Sequence, residues 1–158
     1  MSDMSIEPTI PELHLFMNLF IEVGEAVSEK AGDGVRRHIP IIGGEVFGER
    51  LHGRILPGGA DHLLVRADGC SEIDARYVIE ARGGELIEVH DQGYRHGPAA
   101  IMEALASGRV VDPAEYYFRT CMRLSTGAVD YDWVNRTLFV GSGARGPDRV
   151  RVDVYAVH

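Results

Sequence analysis

Glycine is the residue that most constrains how this chain of 158 residues folds, because nineteen glycines divide it into short segments. Short segments bounded by glycine, proline and Asp-Gly pairs are typical of strands joined by tight turns. The clearest turn signals are Pro57-Gly58-Gly59 and Asp68-Gly69. Proline presets φ and glycine supplies the positive φ that such turns require. The pattern therefore favours many short strands.

Most segments alternate apolar and polar residues, as strands with one buried face do. Examples are LHLFMNLFIEV (13–23) and SEIDARYVIEA (71–81). One segment, PAAIMEALASG (98–108), instead has helical spacing, with Pro98 in a first turn and Gly108 at a C-terminal cap. The sequence thus predicts a mainly β chain of about eight to ten strands, as a closed barrel or a sandwich, with one short helix near 98–107.

Composition narrows the class of protein. Hydrophobic residues make up 45% of the chain, which suits one globular core, and the formal net charge of −8 argues against binding to nucleic acid or to anionic membranes. Cys70 and Cys121 lie far apart in sequence, so we expect two reduced thiols.

No stretch has the pattern of a signal peptide or a membrane span. We expect a cytoplasmic protein with a flexible start over residues 1–11 and one domain over 12–158.

Five separated blocks carry a family resemblance. They are PIIGGEVFGERLHGRILPGGADHLLV (40–65), EIDARYVIE (72–80), YRHGPAAIM (94–102), DPAEYYFRT (112–120) and DYDWVNRTLFVGSG (130–143). In this order they resemble the DUF3237 family, also called UPF0311, from about residue 12 to the C-terminus. The resemblance implies a single-domain antiparallel β-barrel that is often oligomeric. It implies no particular reaction.

A charge within an apolar strand gives the first candidate site. In EYYFRTC (115–121), Tyr117 and Arg119 share one strand face while the opposite face is apolar. If the apolar face packs outward, Arg119 points into the barrel and needs an anionic partner. Asp74 is the first choice and Asp61 the second. This pair would line a pocket, with Asp74 as general base, Arg119 stabilising an oxyanion and Tyr117 as a proton donor. The alternatives are a structural ion pair and a solvated face.

Other residues complete the predicted site. His96 lies on an apparent loop, 89–98, at the start of the helix and could act as acid or base. The same loop could instead simply order the helix start, and we expect no metal there. Trp133 and Asn135 would share a strand face and line the pocket with Tyr77, although core packing explains the tryptophan equally well.

Three functions remain open from the sequence. The first is an enzyme without cofactor that performs acid–base chemistry, as an isomerase, cyclase or lyase, on a small carbonyl-containing or aromatic substrate in the barrel. The second is a non-catalytic, lipocalin-like binding protein for a small molecule. The third is a structural protein. Surplus apolar residues on alternate strand faces also predict a homo-oligomer, a dimer or higher.

Overall fold

The computed structural model describes residues 6–158, and strands account for most of them. Ten strands and one α-helix follow one another along the chain, with 3₁₀ segments at Pro113–Glu115 and Val129–Arg136. The elements are β1 Leu13–Val23, β2 Val27–Ala31, β3 Gly34–Phe47, β4 Gly53–Ile55, β5 Gly59–Arg66, β6 Ser71–Ala81, β7 Leu86–His96, α1 Ala99–Ala106, β8 Tyr117–Ser125, β9 Leu138–Arg145 and β10 Arg149–Val157.

The strands close into a barrel with eight positions around its wall. From β3, the wall runs through β1, β10, β9, β8, β7 and β6 by antiparallel pairs, and β5 joins β6 back to β3. The two remaining strands extend existing positions. β2 continues β1 along one edge of β3, and β4 precedes β5 along the other edge. Closure leaves few unpaired strand edges, which is why the barrel is a stable solution for this sequence.

The two halves of the barrel interior differ in chemistry. The half next to Val129–Arg136 is filled by apolar side chains, where the rings of Phe16, Trp133 and Phe139 contact one another at centroid distances of 4.9–5.8 Å. The other half lies where β7 and β9 end and where α1 packs through Leu105, which is 3% exposed. This half carries charged residues among the apolar ones, and it holds the candidate site.

The predicted antiparallel barrel and the short helix are both confirmed. The predicted loop 89–98 is wrong for most of its length, because β7 continues to His96 and pairs with β8 throughout. The predicted flexible start falls partly on residues 1–5, which lie outside the described part of the chain. Residues 6–12 form no helix or strand, and Glu12 exchanges two backbone hydrogen bonds with His158. Within residues 6–158, no helix has the length and apolar character needed to cross a membrane.

Two glycines of β9 let side chains of the neighbouring strand β8 lie close to the β9 backbone. A Cβ at Gly143 would lie 2.6 Å from ring atoms of Phe118, and one at Gly141 would lie 2.3 Å from Thr120 Oγ1. Real Cβ atoms do not approach other heavy atoms so closely. The glycines therefore make room for two inward-facing side chains of β8, one of which forms part of the candidate site.

We expect Gly143→Ala to lower the free energy of unfolding by about 1–3 kcal/mol, because the added methyl group displaces the Phe118 ring. Urea denaturation followed by circular dichroism measures the change. Gly127→Ala is the matched control, since a Cβ there meets no atom within 4 Å. Equal stability of the two variants would contradict the close contact.

The expected homo-oligomer stays a prediction, and the outer surface suits it. Leu13, Leu15 and Leu138 are 57%, 58% and 65% exposed, and Leu13 and Leu138 both pair with Val157 of β10. Apolar side chains grouped on one face often mark an interface. Light scattering at micromolar concentration should give the mass of a dimer or larger assembly. A mass of 17.4 kDa, that of one chain, would contradict it.

Candidate functional site

A cavity of about 300 Å³ lies in the half of the barrel beside α1. All eight positions of the wall contribute inward-facing residues to it: Ile21, Ile39, Asp61, Ala75, Asp91, Phe118, Arg145 and Val152. Its rim includes Gly24–Ala26, between β1 and β2, Gly146 and Pro147, between β9 and β10, and Ala106 of α1. An eight-stranded barrel has room for one small ligand of this size.

Asp91 is the most unusual residue in the cavity wall. It follows Ile87 and Val89 on the inward face of β7 and is 4% exposed. Its Oδ1 has no hydrogen-bond partner in the described part of the chain. Burial raises the pKa of Asp91 to about 7, with the Thr120 hydroxyl opposing the shift and the negative charge of Asp61 adding to it. The carboxyl group can therefore gain or lose a proton near neutral pH.

Asp61 and Tyr77 lie close to Asp91. Asp61 pairs with Ala75 of β6, and Ala75 pairs in turn with Asp91, so a single small side chain separates the two carboxyl-bearing positions across the sheet. One oxygen of Asp61 accepts a hydrogen bond of 3.0 Å from the backbone N–H of Asp74. Burial is the main cause that raises the pKa of Asp61.

The Tyr77 hydroxyl is fully enclosed and has no hydrogen-bond partner within residues 6–158. Burial raises the pKa of Tyr77 well above its usual range, and the charges of Asp91 and Asp61 raise it further. The phenol therefore keeps its proton at physiological pH, and it can donate that proton in a hydrogen bond. Together with Asp91 it gives the cavity one group that titrates near neutrality and one constant donor.

Arg95 is a buried arginine with no carboxylate within ion-pair distance in the described structure. It lies four residues beyond Asp91 on the same face of β7, is 5% exposed, and its guanidinium carbon lies 5.1 Å from the centroid of the Phe118 ring. Its Nε has no hydrogen-bond partner among residues 6–158. Burial, together with the positive charge of Arg145, lowers the pKa of Arg95 to about 10. The group remains a cation at neutral pH.

Two of the predicted site residues, Asp61 and Tyr77, line this cavity. The four predicted catalytic residues do not. Asp74 and His96 occupy the outward faces of β6 and β7, and Tyr117 and Arg119 occupy the outward face of β8, where both are exposed. Tyr117 stacks on the His96 ring at 4.9 Å between centroids. The predicted placement of Asp74, Tyr117 and Arg119 inside the barrel is therefore wrong, and His96 ends β7 rather than lying on the predicted loop.

The predicted Arg119–Asp74 pair is also absent from the described contacts. Arg119 donates from Nη1 to the carbonyl oxygen of Phe118 at 3.0 Å, and Asp74 Oδ1 lies 2.8 Å from Nε2 of His90. The reason is the orientation of β8. Its apolar face, Phe118 to Leu124, packs inward because a closed barrel must fill its interior. The charged face then points to solvent, where arginine keeps its hydration.

Trp133 and Asn135 belong to a 3₁₀ segment rather than the predicted strand. Trp133 is half-buried beside Phe16, and Arg50 lies over its ring at 4.2 Å, at the opposite end of the barrel from the cavity. Asn135 accepts from Thr126 N and donates to Thr126 O, at 2.8 Å in both cases. The tryptophan packs in the core, and the asparagine orders a turn.

A larger groove of about 1000 Å³ crosses the outer wall, but it is open to solvent. Its polar side chains include His90, which already has a partner in Asp74. Groups of three or more potential metal-ligating side chains do not occur within residues 6–158. In the described part of the chain, five buried side-chain atoms lack a hydrogen-bond partner, and four of them belong to inner-wall residues: Tyr77, Asp91, Arg95 and Thr120. The polar atoms that could bind a ligand are therefore concentrated at the cavity rather than at the groove.

Asp91 and Arg95 are the site residues that the sequence argument missed, although a signal for them exists. Extending the alternation of β7 places Asp91, Gly93 and Arg95 on the face of Ile87 and Val89. Two charged residues on the apolar face of a strand indicate a buried polar site. This alternation is hard to recognise in the sequence, because the glycine and the mixed polar residues of 89–98 also indicate a loop.

Comparisons with known proteins agree with this architecture. The family model described as "Protein of unknown function (DUF3237)" matches residues 11–157. The UPF0311 protein RPA1785 of Rhodopseudomonas palustris is 42% identical over 151 residues, which are 95% of this chain and 98% of the relative. Its crystal structure matches with a TM-score of 0.90 over 97% of this chain and 100% of that chain.

Two further structures share the fold. A beta-barrel like protein from Acinetobacter baumannii AYE is 36% identical and matches with a TM-score of 0.85, covering 98% of this chain and 100% of that one. A protein from Penicillium herquei, described as an enzyme, is 18% identical with a TM-score of 0.73 over 98% of this chain and 100% of that chain. At that identity the likeness concerns the fold alone.

The raised pKa of Asp91 predicts how stability changes with pH. The folded state holds a proton that the unfolded chain releases above about pH 4, so this contribution to stability is full below that pH and is lost as pH rises through about 7. We expect Asp91→Asn to gain stability relative to wild type as pH rises from 5 to 8.5, by an upper bound of roughly 3 kcal/mol, because the unfolded carboxyl is already mostly ionised at pH 5. Urea denaturation at both pH values measures the difference. A difference that does not depend on pH would contradict the assignment.

Proposed function

The chain belongs to the DUF3237 family, and we propose that this member is an enzyme that uses no cofactor and performs acid–base chemistry on a small organic molecule in the barrel cavity. The observation that carries the proposal is Asp91, a buried carboxyl group that titrates near neutral pH and whose Oδ1 has no hydrogen-bond partner within residues 6–158. An acid or base is most effective when its pKa lies near the working pH. Perturbed carboxyl groups in enclosed cavities are frequent at catalytic sites.

The cavity supports proton transfer at carbon next to a carbonyl group. Ionised Asp91 would remove the proton, and the electron pair would move to the carbonyl oxygen to form an enolate. Tyr77 would donate a hydrogen bond to that oxygen, and the positive charge of Arg95 would stabilise it further. Protonated Asp91 would then return the proton to another carbon or to a leaving group. Isomerisation returns the proton to another carbon, and elimination gives it to the leaving group. In cyclisation the enolate would instead attack an electrophilic carbon of the same molecule, and Asp91 would give the proton to the atom that receives the displaced electron pair.

Asp61 would support this chemistry without taking the proton itself. One of its oxygens already accepts the Asp74 N–H, so the carboxylate is held against the β5–β6 wall. Its negative charge raises the pKa of Asp91 and makes that group a stronger base. The Penicillium herquei protein described as an enzyme has the same fold, and the barrel is thus compatible with catalysis.

Hydrogen–deuterium exchange tests the proposal without knowledge of the natural substrate. Small cyclic ketones, β-diketones and hydroxyaryl ketones would be incubated with the protein in D₂O, and loss of the acidic C–H signals followed by proton NMR. We expect the protein to accelerate exchange of at least one compound, with a rate that rises through about pH 7 as Asp91 ionises. Asp91→Asn should lower that rate by about 10²–10⁴-fold.

Controls separate the cavity from the surface. Asp130→Asn removes an exposed carboxylate and should leave the rate unchanged. Tyr77→Phe should lower the rate at every pH, since it removes a donor that does not titrate in this range. Exchange that is lost in an Asp74 variant and kept in Asp91→Asn would contradict the cavity as the site and would indicate a site on the outer wall. Binding of these compounds without exchange of any would favour the non-catalytic binding protein.

A further inference from the structure

Three arginines meet at the end of the cavity beside α1 without a carboxylate to pair with. Arg95, Arg145 and Arg37 come from β7, β9 and β3 and all line the cavity. None of them forms an ion pair within residues 6–158, whereas seven ion pairs of other arginines are resolved at the surface. Burial lowers the pKa of Arg95 and of Arg145; the positive charge of Arg145 adds to the shift of Arg95, and that of Arg37 adds to the shift of Arg145. The three guanidinium groups therefore repel one another.

The negative groups of the cavity lie on its other side. Asp61 and Asp91 flank Ala75, and of the three arginines Arg95 is the one that interacts with Asp61 through charge. Glu25 is the remaining carboxylate in the lining; it is exposed at the rim and pairs with none of the three arginines. The cavity is therefore divided into an acidic end, Asp61 and Asp91 with Tyr77, and a basic end, Arg37, Arg95 and Arg145.

We propose that the basic end binds the carboxylate group of a small organic acid and holds the rest of that molecule against Asp91 and Tyr77. The inference rests on the proposed function, because it assigns the class of substrate to the same cavity. A buried arginine without a counter-ion is costly, and a ligand carboxylate supplies the missing charge. The planar guanidinium group binds a carboxylate through two parallel hydrogen bonds. The unpaired Nε of Arg95 is one of the donors available for this contact.

The dimensions of the cavity limit the ligand. A volume of about 300 Å³ corresponds to about ten water molecules. Asp91 and Arg95 are four residues apart along β7, a distance of roughly 13 Å, and the long arginine side chain shortens the gap between the two functional groups. A single ring between the carboxylate and the reacting carbon is therefore of suitable size.

The cavity walls between the acidic and the basic end also favour a ligand that contains one apolar ring. They are apolar and include Ile39, Ile73 and Val152, and the Phe118 ring lies beneath Arg95. An aromatic or alicyclic ring gains free energy by contact with such walls, whereas inorganic phosphate and acetate gain little. The cavity thus fits an amphipathic acid, with an anionic group at one end and an apolar ring that carries the reacting centre.

Isothermal titration calorimetry with benzoate as the probe tests the inference. Benzamide has the same shape without the charge, and acetate and inorganic phosphate have the charge without the ring. We expect binding of benzoate and much weaker binding of the other three. Arg145→Gln should weaken benzoate binding by about tenfold or more, and Arg95→Gln should do the same if it folds. Arg149→Gln, at the start of β10, removes an exposed charge paired with Asp148 and should bind benzoate as wild type does.

The outcomes separate this inference from the proposed function. Equal binding of benzoate and benzamide, or unchanged benzoate binding in Arg145→Gln, would overturn the carboxylate site even if Asp91-dependent exchange occurs. Phosphate binding as tight as that of benzoate would overturn the organic acid as the class of ligand. Asp91→Asn should still bind benzoate, because it keeps the three arginines. Benzoate binding without catalysed exchange of any compound would leave the carboxylate site in place and contradict the enzyme.

Discussion

The closure of the wall by pairing of β3 with β1 on one edge and β5 on the other is the constraint on which the rest of the structure depends. Once the sheet is closed, every strand residue points either into a dry interior or toward solvent. The interior of an eight-position barrel is narrow, so its side chains must fit one another closely. Gly141 and Gly143 show how tight the fit is, since neither position has space for a Cβ beside β8.

Closure also determines the cost of each inward-facing charge. The end of the barrel near Val129–Arg136 is packed with aromatic and aliphatic side chains, so no free energy is spent there on burying a charge. The end near α1 holds Asp91 and Arg95 in a low-dielectric space where neither has a full set of partners. Replacing such groups with well-packed apolar residues would often stabilise a protein. Their presence is therefore explained better by ligand chemistry than by folding stability.

The fold could be predicted from the sequence because its signals are local. Alternation in segments such as 71–81, the turn at Pro57-Gly58-Gly59, and the change to helical spacing at 98–108 each depend on a few neighbouring residues. The site could be predicted only in part, because it depends on which strand face is inside. The sequence predicts Asp61 and Tyr77 as pocket residues, and the cavity contains both. The prediction for Arg119 requires the apolar face of β8 to point outward. The hydrophobic effect favours the opposite orientation.

The same rule of strand alternation would have identified the missing residues. On β8 the charged residues alternate with a continuous apolar face, which is the pattern of a wall with one side in water. On β7 the charges of Asp91 and Arg95 lie on the apolar face itself. The second pattern is the informative one, since a buried charge needs an explanation and an exposed charge does not. What a single sequence could not reveal is the meeting of Arg37, Arg95 and Arg145, which come from three strands distant in the chain.

The two ends of the cavity are linked through charge. Arg95 lies between them: its cation interacts with Asp61 on one side and with Arg145 on the other. A carboxylate bound at the basic end would neutralise part of that positive charge and favour the protonated form of Asp91, so the pKa of Asp91 would rise. By linkage, the anion would bind more tightly when Asp91 carries a proton. Binding and proton transfer would then depend on each other, because the ionised Asp91 that removes the substrate proton is the form that binds the anion less tightly.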